Sequence, residues 1–240
     1  MIDIIQNDIH EQIKKYDDDT FDMIYTNPPY GTTENKWDKP LDWEILFPEM
    51  WRVLKPNGVI ALHCSLPFTY DLIQVERPKY HYVWIKNNST NFFKAKMQPL
   101  RKQEEILIYY KKQPTYNPQM VGDKVYKTSK AGKSKYFGSR GEEKQNDESH
   151  VGKYPTNVLN YDIHVRGFST RPNDMVDFFI KTYTNENDTI LDLTCYNALT
   201  GVRCKELNRN YVGVDVNKHD DWEKIIPLQK TDIPTPSLQL

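Results

Sequence analysis

The sequence predicts an α/β protein built on a doubly wound, mostly parallel sheet. Seven short hydrophobic runs alternate with helix-like stretches, and the ordered part of the chain closes with a strand–helix–strand unit over residues 189–215. At 240 residues the chain is long enough for one such domain with a full core and one excursion. We therefore expect a single α/β domain with a seven-stranded sheet.

The N-terminal elements follow from local pattern. Residues 1–6 are predicted to form a strand, and Ile9–Tyr16 a helix whose apolar side chains fall near one face. The hydrophobic run Phe21–Thr26 is predicted to be a strand. It must stop at Pro28 and Pro29, because two consecutive prolines lack the amide hydrogens that a ladder needs.

The next elements are bounded by a strong helix stop. Leu41–Val53 is predicted to be a helix, because the following Lys-Pro-Asn-Gly of residues 55–58 cannot continue one. The other elements predicted in this half are strands Val59–Cys64, Tyr80–Lys86 and Ile106–Lys111 and the helix Pro67–Gln74.

Residues 113–160 change character, being rich in Lys, Ser, Gly, Asn and Tyr and poor in aliphatic residues. They are predicted to form an irregular, basic insertion rather than core. Regular structure returns as helix Asn173–Tyr183, strand Thr189–Asp192, helix Thr200–Leu207 and strand Tyr211–Asp215. These limits give a first half over 1–112, the insertion, a second half over 161–225 and a loosely attached tail over 226–240.

Composition restricts the partners. The formal net charge is -1, so nucleic acid could be bound only by a local basic patch. Three cysteines without pairing logic indicate a reducing compartment. The polar N-terminal stretch does not resemble a signal peptide, and no run approaches the length of a membrane span. We therefore expect a cytoplasmic protein without a membrane partner.

The stretch Asn27–Tyr30, Asn-Pro-Pro-Tyr, is the motif that carries chemistry. An exocyclic amine on a base is a poor nucleophile, because its lone pair is delocalised into the ring. The side-chain oxygen of Asn27 and the main-chain oxygen of Pro28 can accept its two hydrogens, and the prolines fix both acceptors in advance. Tyr30 offers a face on which a flipped base can stack. Such a tetrapeptide alone is more often a structural turn, but its place at a strand tip favours a site.

From Asn27 onward the chain resembles the β-group S-adenosylmethionine-dependent DNA amino-methyltransferases, especially the adenine-N6 enzymes of phages and prophages. The likeness spans about residues 1–217 and runs through blocks such as LKPNGVIALHCSLPF, YVWIKNNSTNFFKAKMQPLR and ELNRNYVGVD. The catalytic motif precedes the cofactor strand, as in that circularly permuted group. The resemblance implies the Rossmann-like fold of these enzymes and a cytoplasmic or host-intracellular location.

The resemblance also implies roles for individual residues. The catalytic residues would be Asn27, Pro28, Pro29 and Tyr30, and S-adenosylmethionine would be bound by Asp8, Ile9, Arg171, Pro172, Asp192, Thr194 and Asp215. For Asp215 there is an independent argument, because a carboxylate at a strand end can accept both ribose hydroxyl hydrogens. The implied reaction methylates adenine N6 in DNA after base flipping. Cytosine N4, whose amine makes the same demands, is the alternative.

The cofactor loop, Asp192–Gly201, departs from the family. The family sequence is approximately Asp-Pro-Phe-x-Gly-Ser-Gly-Thr-Thr-Gly, and Tyr196 and Ala198 replace its two central glycines. Glycines there allow positive φ and close approach of the backbone to the ligand. Two hypotheses follow: an active enzyme with an unusual cofactor loop, or a DNA-binding protein that has lost cofactor affinity.

The insertion carries the predicted DNA contacts, which are Lys124, Lys127, Lys130, Lys133, Lys135 and Arg140. Phosphates attract such a patch, and the family has its target-recognition segment in this part of the chain. A solvated loop is the alternative by composition alone. A homodimer and a partner restriction endonuclease are further possible partners. No metal-ligand spacing is present, so we expect no metal.

Overall fold

The structure is a computed structural model that describes residues 1–127, 149–163 and 171–222. Its strands are, in chain order, β1 (Ile2–Gln6), β2 (Phe21–Thr26), β3 (Leu54–Cys64), β4 (Tyr80–Thr90), β5 (Arg101–Tyr109), β6 (Val121–Lys127), β7 (Ser149–Lys153), β8 (Val158–Asn160), β9 (Thr189–Asp192) and β10 (Asn210–Asp215). Its helices are α1 (Ile9–Gln12), α2 (Trp43–Val53), α3 (Phe68–Val75), α4 (Asn173–Tyr183) and α5 (Leu199–Glu206). Within these described ranges, no helix is long and apolar enough to cross a membrane.

The chain divides into two compact units, and the larger one comprises residues 1–117 together with the chain from Asn157 onward. Its sheet has the strand order β1-β10-β9-β2-β3-β5-β4-β8. All neighbouring pairs are parallel except those made by β5, which is antiparallel to both β3 and β4. The predicted α/β class with a mostly parallel sheet is therefore confirmed.

The predicted number of seven strands was wrong, since the described sheet has eight. The additional strand is β8, which pairs in parallel with β4 at the sheet edge. It lies in the stretch that composition assigned to the insertion. Only Leu159 of its three residues is buried, so the strand has no alternation long enough to be recognised.

Helices cover both faces of the sheet, because alternate residues of each strand face opposite ways. In β2, Ile24 belongs to a core with α1, α2 and α3, whereas Met23 and Tyr25 belong to a core with α4 and α5. Phe21 lies before a register shift in the strand and joins the same core as Ile24. The near-continuous hydrophobic run of β2 is typical of a strand buried on both faces.

The element limits agree closely with the prediction in the strongly patterned regions. Strands β2 and β9 and helix α4 have the predicted limits. Strands β4 and β5 are longer than predicted, because polar residues continue their antiparallel ladder: Trp84 pairs with Glu104, and Thr90 with Arg101. The predicted helix Ile9–Tyr16 consists of α1 followed by a 3₁₀ turn.

The smaller unit, Pro118–Thr156, contains the antiparallel pair β6 and β7. The prediction of irregular structure was wrong for these strands. Every residue of β6 except the half-buried Tyr126 is exposed, so no buried face produces a period of two. Gly152, at φ +85°, lies against the partner strand, and a Cβ there would approach the Gly122 carbonyl oxygen to 2.9 Å. The limits 113–160 for the insertion remain a prediction, and the tail 226–240 lies outside the described residues.

Candidate active site

The predicted site residues gather at one edge of the sheet. Strands β1, β10, β9 and β2 are neighbours in that order and run in one direction. Asp8 lies two residues beyond β1, Asp215 ends β10, Asp192 ends β9, and Asn27 directly follows β2. The carboxyl ends of parallel strands form the usual ligand-binding edge of such a sheet. The fold thus brings together residues from distant parts of the sequence.

The catalytic turn, Asn27–Tyr30, is held by contacts within itself and to α3. The Tyr30 hydroxyl donates a hydrogen bond to Oδ1 of Asn27 at 2.9 Å. The Tyr30 ring stacks on Phe68, with centroids 5.2 Å apart and planes 20° apart. Burial raises the pKa of Tyr30 well above its ordinary value, so the hydroxyl stays protonated and remains a donor. The bond orients the Asn27 amide and leaves its oxygen a second lone pair for a ligand.

Asp38 anchors the segment that follows the catalytic turn. Its Oδ1 accepts the Gly31 amide hydrogen, and its Oδ2 accepts those of Thr32 and Thr33 together with the Thr33 hydroxyl, all at 2.7–2.9 Å. Burial opposes ionisation of Asp38, but these hydrogen bonds outweigh it and lower its pKa. Gly31 adopts φ +65°, a left-handed conformation that suits glycine. The sequence analysis did not identify this role of Asp38; the signal was an acid five residues after Thr33.

Asp192 belongs to a buried polar cluster beneath the site. Its Oδ2 lies 3.9 Å from Nη2 of Arg171, which also donates to the Thr200 hydroxyl at 3.3 Å. The Arg171 guanidinium lies over the Tyr25 ring, 5.2 Å from its centroid. Burial raises the pKa of Asp192, and the charge of Arg171 opposes that rise. Both side chains are at least nine-tenths buried, so they support the cofactor loop from below.

Asp215 is oriented by backbone amides. Its Oδ2 accepts the Tyr196 amide hydrogen and its Oδ1 that of Asn217, both at 2.9 Å. Nε2 of His219 lies 3.7 Å from Oδ1. Each carboxylate oxygen retains a further lone pair, so the pre-oriented carboxylate can still accept hydroxyl hydrogens.

Three other predicted cofactor residues make structural contacts. Asp8 caps α1 by accepting the amide hydrogen of His10 at 2.8 Å, and its side chain is about half exposed. Ile9 is buried in the core. Pro172 begins α4, where its carbonyl oxygen accepts the amide hydrogens of Met175 and Val176.

The last residue of β2, which leads into the catalytic turn, contacts the cofactor loop. The hydroxyl oxygens of Thr26, at the end of β2, and Thr194, in the cofactor loop, lie 3.2 Å apart. The Thr194 amide also donates to Oδ1 of Asp192 at 3.4 Å. A group held at Asn27 is therefore adjacent to whatever the cofactor loop binds.

Comparison with protein families identifies the group to which this fold and site belong. The family model N6_N4_Mtase, described as DNA methylase, matches residues 21–220. The chain belongs to this DNA methylase family. The match includes the catalytic turn, the cofactor loop and both strands that support them.

Curated relatives of this methylase are bacterial DNA methyltransferases. It is similar to Type II methyltransferase M.HpaI of Haemophilus parainfluenzae, with 24% identity over 86% of this chain and 67% of the relative. It is 25% identical to Type II methyltransferase M2.LlaDCHI of Lactococcus lactis subsp. cremoris, over 90% of this chain and 84% of the relative. DNA adenine methyltransferase YhdJ of Escherichia coli K12 is also 25% identical, over 89% and 78% of the two chains.

Solved structures share the fold of this methylase. The crystal structure of the M1.HpyAVI–SAM complex superposes with a TM-score of 0.59 at 21% identity, covering 95% of this chain and all of the other. The cytosine-N4-specific PvuII DNA methyltransferase gives a TM-score of 0.62 at 13% identity, covering 90% and 82%. The amino-methyltransferase resemblance and the fold inferred from it are thus confirmed, while a phage-type origin remains a prediction.

The cofactor loop of this methylase keeps a glycine-like backbone without the glycines. Tyr196 has φ 47° and Ala198 has φ 53°, both in the left-handed region. Such conformations cost about 1–2 kcal/mol for residues with a Cβ. The two residues that stand in place of glycines therefore adopt the left-handed backbone that glycine favours, at a conformational cost.

The Tyr196 ring points toward the segment after β10. It packs edge-on against His219, with centroids 4.6 Å apart, and is 46% exposed. The indole nitrogen of the buried Trp222 donates to the Tyr196 carbonyl oxygen at 2.6 Å. Residues after β10 therefore contact both the ring and the backbone of Tyr196. The ring itself is not part of the buried core.

A buried ion pair lies in a second altered family block. The family sequence Arg-x-x-His-Glu corresponds to residues 101–105, and Glu104 replaces its histidine. Nζ of the buried Lys86 donates to Oε1 of Glu104 at 2.7 Å, while Glu105 accepts the Thr69 hydroxyl at 2.7 Å. Glu104, which stands in place of the histidine, is therefore paired with Lys86. The sequence analysis did not identify this ion pair, because the two residues lie on different strands.

Only part of the predicted DNA patch can be located. Lys124 and Lys127 are exposed on β6, whereas Lys130, Lys133, Lys135 and Arg140 lie outside the described residues. Among the residues that the structure describes, no group of three or more His, Cys, Asp or Glu side chains could hold a metal ion.

Proposed function

We propose that this methylase transfers a methyl group from S-adenosylmethionine to N6 of an adenine flipped out of duplex DNA. The contact between the Thr26 and Thr194 hydroxyls carries the proposal, because it puts the amine-binding turn next to the cofactor loop. S-adenosylmethionine, when bound at the cofactor loop, would supply a methyl group activated by its sulfonium sulfur. The amine held by Asn27 and Pro28 would exchange one hydrogen for that methyl group, with the proton passing to solvent and the thioether S-adenosylhomocysteine as the other product.

The chain's own residues would align and activate the amine. Asn27 and Pro28 would accept its two hydrogens, which directs the nitrogen lone pair out of the ring plane. Tyr30 holds the Asn27 amide through its hydroxyl and is proposed to contact the base with its ring. In-line displacement needs alignment more than a strong base, so a turn that orients the amine with two hydrogen-bond acceptors suits it.

The cofactor loop fits the nucleoside part of S-adenosylmethionine. Asp215 is oriented at a strand end and can accept ribose hydroxyl hydrogens. Residues 196 and 198 adopt left-handed φ values, the conformation that glycines at these positions would allow. These observations favour an active enzyme over a DNA-binding protein without cofactor affinity. Titration calorimetry distinguishes the two, since no heat at millimolar S-adenosylmethionine would exclude the enzyme.

Sequence similarity to named relatives, and not the geometry of the site, favours adenine over cytosine as the substrate. YhdJ, named a DNA adenine methyltransferase, is 25% identical over most of this chain, whereas the cytosine-N4-specific PvuII enzyme is 13% identical. The exocyclic amines of both bases make the same demands on Asn27. Relatives named Type II methyltransferases also support a partner restriction endonuclease.

Expression in a methylation-deficient host tests the reaction. Single-molecule sequencing of plasmid and genome should show N6-methyladenine within one sequence motif, and the signal should vanish with Asn27→Ala. N4-methylcytosine in its place would transfer the proposal to the alternative base. Unmodified DNA with a soluble, folded protein would reject methyl transfer.

A further inference from the structure

Between β4 and β5 an exposed aromatic turn, Asn91–Leu100, projects from the larger unit. Its local shape is fixed: Asn91 adopts φ 74°, and the amides of Lys94 and Ala95 donate to the carbonyl oxygens of Asn91 and Phe92 at 3.0 and 3.1 Å. The ladder pair Thr90 and Arg101 closes its base. The turn thus presents its side chains from a defined backbone.

The apolar side chains of this turn have no cover within the described chain. Phe93 is 104% exposed, Met97 84% and Phe92 63%. Leaving a phenylalanine in water forgoes about 2–3 kcal/mol of burial free energy. Adjacent exposed aromatic and sulfur-containing side chains at a turn tip are typical of a surface that inserts into a partner.

The charge around the turn identifies the partner as a polyanion. Residues 91–102 contain four cationic side chains and no acid, in a protein whose net charge is -1. The cationic residues are Lys94, Lys96, Arg101 and Lys102. A DNA backbone offers a continuous run of negative charge that matches these four cations, so DNA is the partner we assign.

The turn lies at the same edge of the sheet as the catalytic turn. Strand β2 is parallel to β3, and β4 is related to β3 through the antiparallel β5, so β2, β3 and β4 all end at this edge. Nη2 of Arg101 donates to the carbonyl oxygen of Leu66 at 2.9 Å, just beyond the end of β3. A duplex whose base reaches Asn27 therefore passes this edge.

We infer that the 91–100 turn is a wedge for duplex DNA, in which Phe93 enters the base stack and Lys94 and Lys96 hold the flanking phosphates. The inference rests on the proposed function, since it assumes a flipped base at Asn27. Extruding a base leaves a gap in the stack, and apolar side chains inserted at base steps are a known way to open or fill such gaps. Phe93 supplies that side chain, and its insertion between bases would regain the burial free energy that is lost while the ring is exposed.

Two duplexes of equal length and sequence test the wedge, one intact and one with a single abasic site. The wild-type protein should bind the abasic duplex about tenfold more tightly, because its stack is already open. Phe93→Ala should lose this preference while keeping its affinity for the intact duplex, and Phe93→Trp should keep it. Lys94→Gln with Lys96→Gln should weaken both complexes and lower the salt-dependence slope by about 2.

Tyr116→Ala is the matched control, because Tyr116 is an exposed aromatic residue beyond β5 at the opposite edge. It should retain the abasic preference. Equal wild-type affinity for the two duplexes would overturn the wedge and leave the proposed methyl transfer standing, whereas binding to neither duplex would overturn both. Concentration-dependent self-association that disappears in Phe93→Ala would assign the surface to a second copy of this chain and likewise overturn the inference.

Discussion

The catalytic turn after β2 is held by side chains of the turn itself and of the segment that follows it, whereas the cofactor loop after β9 is held by side chains from beyond β9, and two of its residues are left-handed. Tyr30 fixes Asn27, and Asp38 fixes the next three residues with four hydrogen bonds. In the cofactor loop, the Tyr196 amide binds Asp215, while residues 196 and 198 adopt left-handed conformations. Residues that replace glycines in a motif can therefore still adopt a left-handed backbone, at a conformational cost.

The largest effect is expected at the catalytic turn. Asn27→Ala removes the acceptor that aligns the amine, and methyl transfer should fall by about 10²–10³-fold with unchanged S-adenosylmethionine affinity. Asn27→Asp is the control, because its carboxylate presents an acceptor in the same position and should retain much of the activity. Steady-state rates on methylatable plasmid measure both. Equal losses in the two variants would show that the turn acts only as structure.

The next largest effect is expected at Asp38, which anchors the segment after the catalytic turn. Asp38→Asn cannot accept all four hydrogen bonds, so turnover should fall about tenfold and the free energy of unfolding by about 2 kcal/mol at neutral pH. The pKa of Asp38 is lowered in the folded protein, so its stabilisation is present above about pH 4 and is lost as the pH falls through the folded-state pKa.

Denaturant unfolding between neutral and acid pH measures this effect. The stability difference between wild type and Asp38→Asn should shrink as the pH falls below about 4. Asp71→Asn, which changes an exposed acid on α3, is the control and should show little difference at any pH. A constant difference across the range would contradict the role of the carboxylate charge.

The hydroxyl of Tyr30 should have a smaller effect than its ring. Tyr30→Phe keeps the stack on Phe68 but releases the Asn27 amide, so turnover should fall about fivefold, as expected for one hydrogen bond. Tyr30→Ala removes both contacts and should be more damaging. Comparing the two by kcat at saturating DNA separates orientation from stacking, and an unaltered rate in Tyr30→Phe would argue against orientation.

The smallest effect is expected in the cofactor loop. Tyr196→Gly relieves a left-handed conformation, so the free energy of unfolding should rise by about 0.5 kcal/mol after the extra chain entropy of glycine is subtracted. Affinity for S-adenosylmethionine should rise a few-fold, because the backbone can approach more closely. Asn187→Gly, at φ 69° outside the loop, is the matched control and should leave that affinity unchanged. Weaker binding by Tyr196→Gly would show that the phenol itself contacts the cofactor.

The sequence predicted the elements that bury continuous hydrophobic runs. Strand β2 and helix α4 were located to the residue, because Phe21–Thr26 and Asn173–Tyr183 carry clear periodicity and breakers. Strand β8 and the β6–β7 pair were missed, because their stability comes from pairing with distant strands and leaves little pattern in short or exposed segments.

The site was predictable to the extent that it consists of strand-end motifs. The sequence assigned Asn27, Asp192 and Asp215 to strand ends, and the structure brings these ends to one edge of the sheet, while the functional roles of the three residues stay predictions. The contacts that support these residues were not predicted. The pairing of Lys86 with Glu104 depends on strand register, and the hydrogen bond from Tyr30 to Asn27 depends on side-chain rotamers. Neither register nor rotamer follows from composition.

The carboxylate of Asp215 has a further consequence for how a ligand would be received. The Asp215 carboxylate already accepts hydrogen bonds from the amides of residues 196 and 217. A substitution at Asp215 would therefore destabilise two turns even in the absence of any nucleoside. A loss of ligand affinity in an Asp215 variant therefore combines two effects, the loss of contacts to the ligand and the destabilisation of these turns. Amide exchange at Tyr196 in the ligand-free protein reports the second component alone.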